Sequence, residues 1–390
     1  MKANTLPIRL MLNKKLVLLL VSTMFSSILP AENQLPDTMV YRTGRWFQYV
    51  PYGHSLYADV HPDFVRMDVS ATSYSTATNY GNPNNKYGGH MFAVFGGRIS
   101  IWSMDFQQRR FGLNISQTFN AQLWMDIFER TTAPIINTDY RVGIPTLTFI
   151  HRFEQSGREP VPSSVKGSFL KNYSIQVCPF KHESTHIGDE LVLQRADKGY
   201  ALRRVNVSYN YAEMLLTLNE PENRYIETHT FRLGAFVLLR PQEGWYFVNS
   251  SDGAVNNLYT NNTTHLNQAG QSERYGPSGM PFEIWLQYQY QSVCSRLGFQ
   301  ALVSAEIRNR AMYNYSLTET AVSPLPRYGT ADNRRFTYSI FAGARYNMPH
   351  YDGYFSRLAF GIRAYHGNCP YGMFRSEDNF SYIGFSIVYQ

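Results

Sequence analysis

Between residues 297 and 308 the side chains alternate in kind. Leu297, Phe299, Ala301, Val303, Ala305 and Ile307 take the odd positions, and Gln300, Ser304, Glu306 and Arg308 stand among the even ones. The same period recurs over 336–347, where Phe336, Tyr338, Ile340, Ala342, Ala344 and Tyr346 oppose Thr337, Ser339, Arg345 and Asn347. It recurs again over 354–364, where Tyr354, Leu358, Phe360, Ile362 and Ala364 oppose Arg357 and Arg363, and the chain closes on Ile383, Phe385, Ile387 and Tyr389 before Gln390. Successive side chains of a strand point to opposite faces, so each run reads as a strand with one apolar and one polar face. The length of the runs narrows the choice of fold. Strands of soluble sheets average ~5–6 residues, whereas a tilted strand needs ~9–11 to cross a bilayer.

Composition points the same way. Charged residues make up 17% of the chain, against about 25% in typical soluble domains, and aromatics make up 15%, led by 29 Tyr and 25 Phe. After the N-terminal region no apolar run is longer than the five residues of Ala235–Leu239, far short of the ~20 of a spanning helix. Few charges, many Tyr and Phe and no spanning helix suit a transmembrane barrel, and a soluble sandwich with one polar face is the alternative. The expected fold is all-β, a transmembrane antiparallel β-barrel of about 12 strands. The segments that carry the pattern are 63–71, 90–104, 111–126, 140–153, 169–182, 201–213, 225–239, 281–291, 297–309, 334–347, 354–366 and 380–390, with Pro145 interrupting the fourth. Residues 241–280 lack the period and are rich in Asn, Ser, Thr and Gly, which predicts an extracellular loop.

The N-terminus reads as an export signal. Lys2, Arg9, Lys14 and Lys15 precede an apolar run from Leu16 to Phe25, small residues follow, and Ala31 precedes the first acid, Glu32. The expected organisation is a signal peptide at 1–31, an N-terminal periplasmic or plug segment at 32–60 and the barrel at 61–390, in the outer membrane of a Gram-negative-type bacterium. The whole chain carries a net charge of +7, from 36 basic and 29 acidic residues. Without the four bases of the leader the balance is 32 to 29, or +3, too mild to suggest nucleic acid. The partners expected are outer-membrane lipid and, during biogenesis, the barrel-insertion machinery. Cys178, Cys294 and Cys369 are an odd number spaced widely, which is no disulfide framework. No cofactor is indicated.

One polar cluster carries chemistry: His182, Glu183, Ser184, Thr185, His186, Ile187, Gly188, Asp189 and Glu190. It follows a strand-like run, Leu170 to Cys178. A strand continued without interruption would send Tyr173, Ile175 and Val177 toward lipid and His182, Ser184 and His186 into the lumen, with Glu183 facing away. Pro179 is an obstacle to that continuation. On a strand, residues two apart rise ~6.6 Å and residues four apart ~13 Å. His182 and His186 would then each approach Ser184 but would not share a metal ion, which a helix would allow. The candidate catalytic residues are Ser184, His182, His186, Asp189 and Glu190, with a serine activated by an adjacent imidazole. A metal or ligand site, or hydrogen-bonded lumen filling, remains open beside it.

The run His182–Glu190 resembles the His-x-Ser-Ser-His-Leu-Gly-Asp-Glu signature of a family of bacterial proteins classed as a domain of unknown function. Arg204-Val-Asn-Val-Ser-Tyr209 and Tyr365-His-Gly-Asn-Cys-Pro-Tyr-Gly-Met-Phe374 fit it as well. The His182-x-Ser184 pair is also similar to the His-x-Ser pair of outer-membrane phospholipase A and lipid A deacylase. Those are barrels with catalytic residues near the outer rim of the membrane. That likeness implies Ser184 as nucleophile and His182 as base. It departs at Thr185, where those enzymes have Asn, and it assigns no orienting third residue. Three functions follow as expectations: a structural or ligand-binding barrel, a lipid-ester hydrolase, or a narrow porin.

Overall fold

The computed structural model describes residues 45–47, 52–73, 87–106, 110–127, 135–153, 170–187, 201–202, 204–221, 227–239, 245–248, 265–266, 272–273, 282–311, 318–319, 334–349, 355–370 and 380–390. The expected signal peptide lies outside these residues.

Twelve strands form the barrel: β1 (Val65–Ser73), β2 (Tyr87–Phe106), β3 (Phe111–Asp126), β4 (Ile135–Arg152), β5 (Asn172–Ile187), β6 (Arg204–Leu218), β7 (Thr228–Leu238), β8 (Phe282–Gln291), β9 (Phe299–Ala311), β10 (Arg334–Pro349), β11 (Phe355–Gly367) and β12 (Phe380–Tyr389). Each pairs antiparallel with the next, and β12 returns to β1 with Tyr389 opposite Val65, which closes the wall. Closure leaves no barrel strand with an unpaired edge. The stretch 241–280, expected to be a loop throughout, holds short strands. Trp245–Val248 pairs with the start of β6, and His265–Leu266 pairs with Ser272–Glu273.

The period-two pattern separates inside from outside. Ser304, Glu306, Arg308, Thr337, Ser339, Arg345, Arg363 and Ser386 are buried within the barrel, while Phe299, Val303, Phe336, Ile340, Ile362, Ile383 and Phe385 are exposed on its outer surface. Soluble monomers rarely expose contiguous apolar patches beyond a few hundred Å². An apolar band around a closed barrel is the surface that hydrocarbon covers. Among the described residues no helix is long and apolar enough to cross a membrane.

The lumen is filled. Residues Tyr52–Phe64 run inside the barrel, with Tyr52, Leu56, Tyr57, Ala58, Val60 and Phe64 buried. Wall side chains take up this segment's backbone groups, which is what a chain sealed from water requires. The Tyr57 amide donates to Gln289 Oε1 at 3.1 Å and the Ala58 amide to Ser304 Oγ at 3.0 Å. Arg66 donates to the Asp59 carbonyl at 3.0 Å and Gln122 to the Val60 carbonyl at 3.3 Å. Asn120, Arg98 and Arg363 donate to the carbonyls of Pro62, Gly53 and Tyr57. Gly96 permits the close approach, because a Cβ there would sit 2.8 Å from the Pro62 oxygen and the Phe64 nitrogen. The residual cavity of about 50 Å³, lined among others by Asp59, His61, Arg141 and Glu183, holds a few waters at most. Arg308, Arg345 and Arg363 are taken up by bonds inside the barrel. Arg308 pairs with Glu306 at 3.0 Å and Glu283 at 3.7 Å, Arg363 lies 3.6 Å from Asp68, and Arg345 donates to Gln300.

Candidate active site

The strand that carries the polar cluster changes face part-way along. From Asn172 to Cys178 the even residues of β5 are buried; then Pro179 and Phe180 are both exposed, and beyond them the odd residues Glu183 (2% exposed) and Thr185 (0%) are inside. The pairing with β6 jumps from Cys178 opposite Glu213 to Lys181 opposite Tyr211, so three steps on β5 match two on β6. This is a β-bulge with one extra residue, placed where Pro179 supplies no N–H to the ladder. A second bulge lies beside it. On β4 the pairing with β3 jumps from Thr146 opposite Ser116 to Gly143 opposite Thr118, leaving Ile144 and Pro145 exposed. Pro145 therefore bends β4 without ending it.

The bulge corrects the facing expected from an uninterrupted strand. His182, Ser184 and His186 lie on the outer face of the wall, the first two half-buried and the third exposed, and Glu183 points into the lumen. Inside, Arg141 Nη2 donates to Glu183 Oε1 at 2.9 Å, and Thr185 Oγ1 donates to Asn137 Oδ1 at 3.1 Å.

On the outer face a third residue joins the pair. Asn210 of β6 lies directly opposite His182, and its Oδ1 is 2.8 Å from His182 Nδ1. An amide oxygen only accepts, so with Asn210 Oδ1 as the partner the bond requires the His182 tautomer that carries its proton on Nδ1. That tautomer leaves Nε2 as the basic nitrogen, free to take a proton from a hydroxyl. Ser184 is two residues along on the same face, with Tyr140 of β4 opposite it. Asn210 was missed in the sequence reading, although a signal was present. The outward set of β6 that follows it, Ala212, Met214, Leu216 and Leu218, is apolar, and Asn210 breaks it.

His186 is opposite Thr138, and no described residue orients its ring. Asp189 and Glu190 lie outside the described residues. Among the described residues no group of three His, Cys, Asp or Glu is placed to hold a metal ion, and Cys178, Cys294 and Cys369 form no disulfide. The site sits near one rim, since Ser184 is three residues from the end of β5. The connections at that rim, 74–86, 127–134, 188–203, 239–281, 312–333 and 368–379, are mostly longer than those at the other.

No family model matches the chain, and no curated protein does. Among solved structures it is similar to the dimeric, calcium-bound outer membrane phospholipase of Salmonella typhi, at 11% identity over 85% of this chain and 91% of that one, with a TM-score of 0.37. It is likewise similar to outer membrane phospholipase A of Escherichia coli, at 10% identity over 85% and 97%, with a TM-score of 0.36. Likenesses at this level assign no residue and no activity.

Proposed function

We propose that this protein is an outer-membrane lipid-ester hydrolase in which Ser184 is the nucleophile, His182 the base and Asn210 the residue that orients His182. The observation that carries the reading is the 2.8 Å bond between His182 and Asn210 on the outer face of the wall, near its rim. Polar and ionisable groups at such a surface are costly, and those found there mark functional sites by default. A histidine bonded to an asparagine, with a serine two residues along on the same face, has a chemical use that lumen filling would not explain.

In this reading His182 Nε2 takes the Ser184 proton as Oγ attacks an acyl carbonyl. The Asn210 oxygen holds the imidazolium that forms, and His182 then gives its proton to the departing alcohol. Water, activated the same way, releases the acyl group as a fatty acid and restores the serine. Asn in place of a carboxylate stabilises the cation less but costs less to hold beside lipid. The nearest esters are those of the membrane itself. Longer loops on the same rim as the site suit an extracellular end, so the substrate would lie in the outer leaflet.

Fatty-acid release by purified protein from phospholipid mixed micelles, with and without calcium, tests the reading. Wild-type protein should release acid and Ser184→Ala should not, with both showing the same heat-modifiable migration on gels. Equal, background release by both would end the hydrolase reading. A porin is disfavoured by the filled lumen.

A further inference from the structure

Behind the site, on the lumenal side, lies a continuous set of bonds that reaches the inner segment of the chain. The Val60 carbonyl accepts from Gln122 Nε2 at 3.3 Å. Gln122 Oε1 accepts from Arg141 Nη1 at 3.2 Å. Arg141 Nη2 donates to Glu183 Oε1 at 2.9 Å and lies 3.7 Å from Asp139. Glu183 is the residue between His182 and Ser184, so the position of its backbone sets the position of both. A second pair, Lys181 Nζ to Glu213 Oε1 at 2.8 Å, ties β5 to β6, the strand that bears Asn210.

These bonds stand just beyond an interruption of the sheet. Between the pairs Gly143–Lys181 and Leu147–Val177 the registered ladder of β4 and β5 is interrupted by the two adjoining bulges. Beyond the interruption the ladder resumes, with Arg141 directly opposite Glu183, and the buried side-chain bonds add to its hold on the reacting end of β5. We propose that Arg141 is a positioning residue: through Glu183 it fixes the strand that carries His182 and Ser184, and through Gln122 it makes that placement depend on the lumenal segment Tyr52–Phe64. The proposal rests on the hydrolase reading above. A chain of contacts suggests coupling without measuring it, so the test must read catalysis apart from folding.

Removing Arg141 alone would strand two buried carboxylates, so the main variant combines Arg141→Met with Glu183→Gln, which leaves only Asp139 without its cation. For the fraction that remains heat-modifiable, kcat should fall by about 100-fold, the scale of a small misplacement of reacting groups, with KM little changed. Gln122→Leu leaves no charge unpaired and cuts the link one step earlier, and its kcat should also fall, by a smaller factor. The swapped pair Arg141→Glu with Glu183→Arg should recover a large part of the loss. The control is Arg308→Met with Glu306→Gln, an equivalent buried pair on β9, which should lower stability and leave kcat alone. If wild type is active and the Arg141 double variant, or Gln122→Leu should the double variant fail to fold, keeps the wild-type kcat, the positioning role is wrong and the hydrolase reading stands. A fall equal to that of the Arg308 control overturns it as well. If wild type itself releases no fatty acid, the hydrolase reading fails first and this inference goes with it.

Discussion

Two histidine–serine pairs face outward near the same rim of the barrel, and they differ in what each imidazole is bonded to. On β5, His182 Nδ1 is bonded to Asn210 across the sheet, and Ser184 stands two residues away on the same strand. Between β11 and β12, His366 Nδ1 lies 2.7 Å from Ser381 Oγ itself, the two being direct cross-strand partners. The second pair has the shorter histidine–serine contact, but the serine itself occupies the nitrogen that a separate orienting group would use. A serine becomes a nucleophile when a base of fixed tautomer is held for it, so proximity alone does not rank the two. The wall around them differs too. β11 and β12 alternate without a break, whereas the neighbourhood of Ser184 carries two bulges and an ion pair buried behind it.

The largest expected effect separates the pairs directly. Ser184→Ala should lower fatty-acid release by roughly a thousandfold or more, whereas Ser381→Ala should stay within about twofold, since no catalytic role attaches to it. Release that survives Ser184→Ala but disappears in Ser381→Ala would reverse the ranking.

Asn210 is the feature the second pair lacks, so removing it should make the first pair resemble the second. Asn210→Ala should cost roughly 10- to 100-fold in kcat, the range seen when a group orienting a functional histidine is removed. Asn210→Asp keeps an acceptor and should retain more activity than the Ala variant. An Asn210→Ala enzyme as fast as wild type would leave His182 without its assigned tautomer.

His186 offers a smaller effect. It is two residues from Ser184 and shares its face, but no described residue orients it, so His186→Ala should change kcat by no more than a few-fold. A loss as deep as that of His182→Ala would make His186 the base.

Much of the wall was legible in the sequence because one physical rule governs it. In 297–309, 334–347 and 354–366 apolar residues recur at every second position, with a few more such as Leu302 and Phe341 on the inner face, and the observed strands Phe299–Ala311, Arg334–Pro349 and Phe355–Gly367 differ only at their ends. The site was half legible. His182 and Ser184 stand out as residue types at a useful spacing, but their facing depends on one extra residue near Pro179, and a single slip of period inverts every side chain beyond it. Asn210 was harder still, because 28 residues separate it from His182 and only cross-strand register joins them. Register belongs to the sheet and no local pattern of β6 announces it. The lumenal course of Tyr52–Phe64 rests on bonds from wall residues as distant as Gln289 and Ser304, which no periodicity within the segment reveals.

The smallest predicted effect concerns that lumenal segment, whose middle and whose Ser55–Asp63 clasp are held by different forces. Tyr57 stacks on Phe341 with ring centroids 5.5 Å apart and packs with Phe64, Leu302 and Val388, contacts indifferent to pH. Asp63, by contrast, accepts from the Ser55 amide at 2.8 Å and lies 3.9 Å from His54. Burial alone would raise the Asp63 carboxyl, but His54, Arg98 and the bonds with Ser55 together hold it below its ordinary value of 3.8. A carboxyl lowered on folding adds stability that is fully present above the unfolded value and is lost as pH falls through the folded one. Acidification below about pH 4 should therefore loosen the segment near Ser55 and Asp63 while the Tyr57 contacts persist. Hydrogen exchange on protein in lipid discs should show faster exchange at Ser55 than at Tyr57 and Ala58 as pH falls, after correction for intrinsic rates. Asp63→Asn should flatten that response. If wild type and Asp63→Asn loosen alike, the carboxyl is not what holds Ser55 to Asp63.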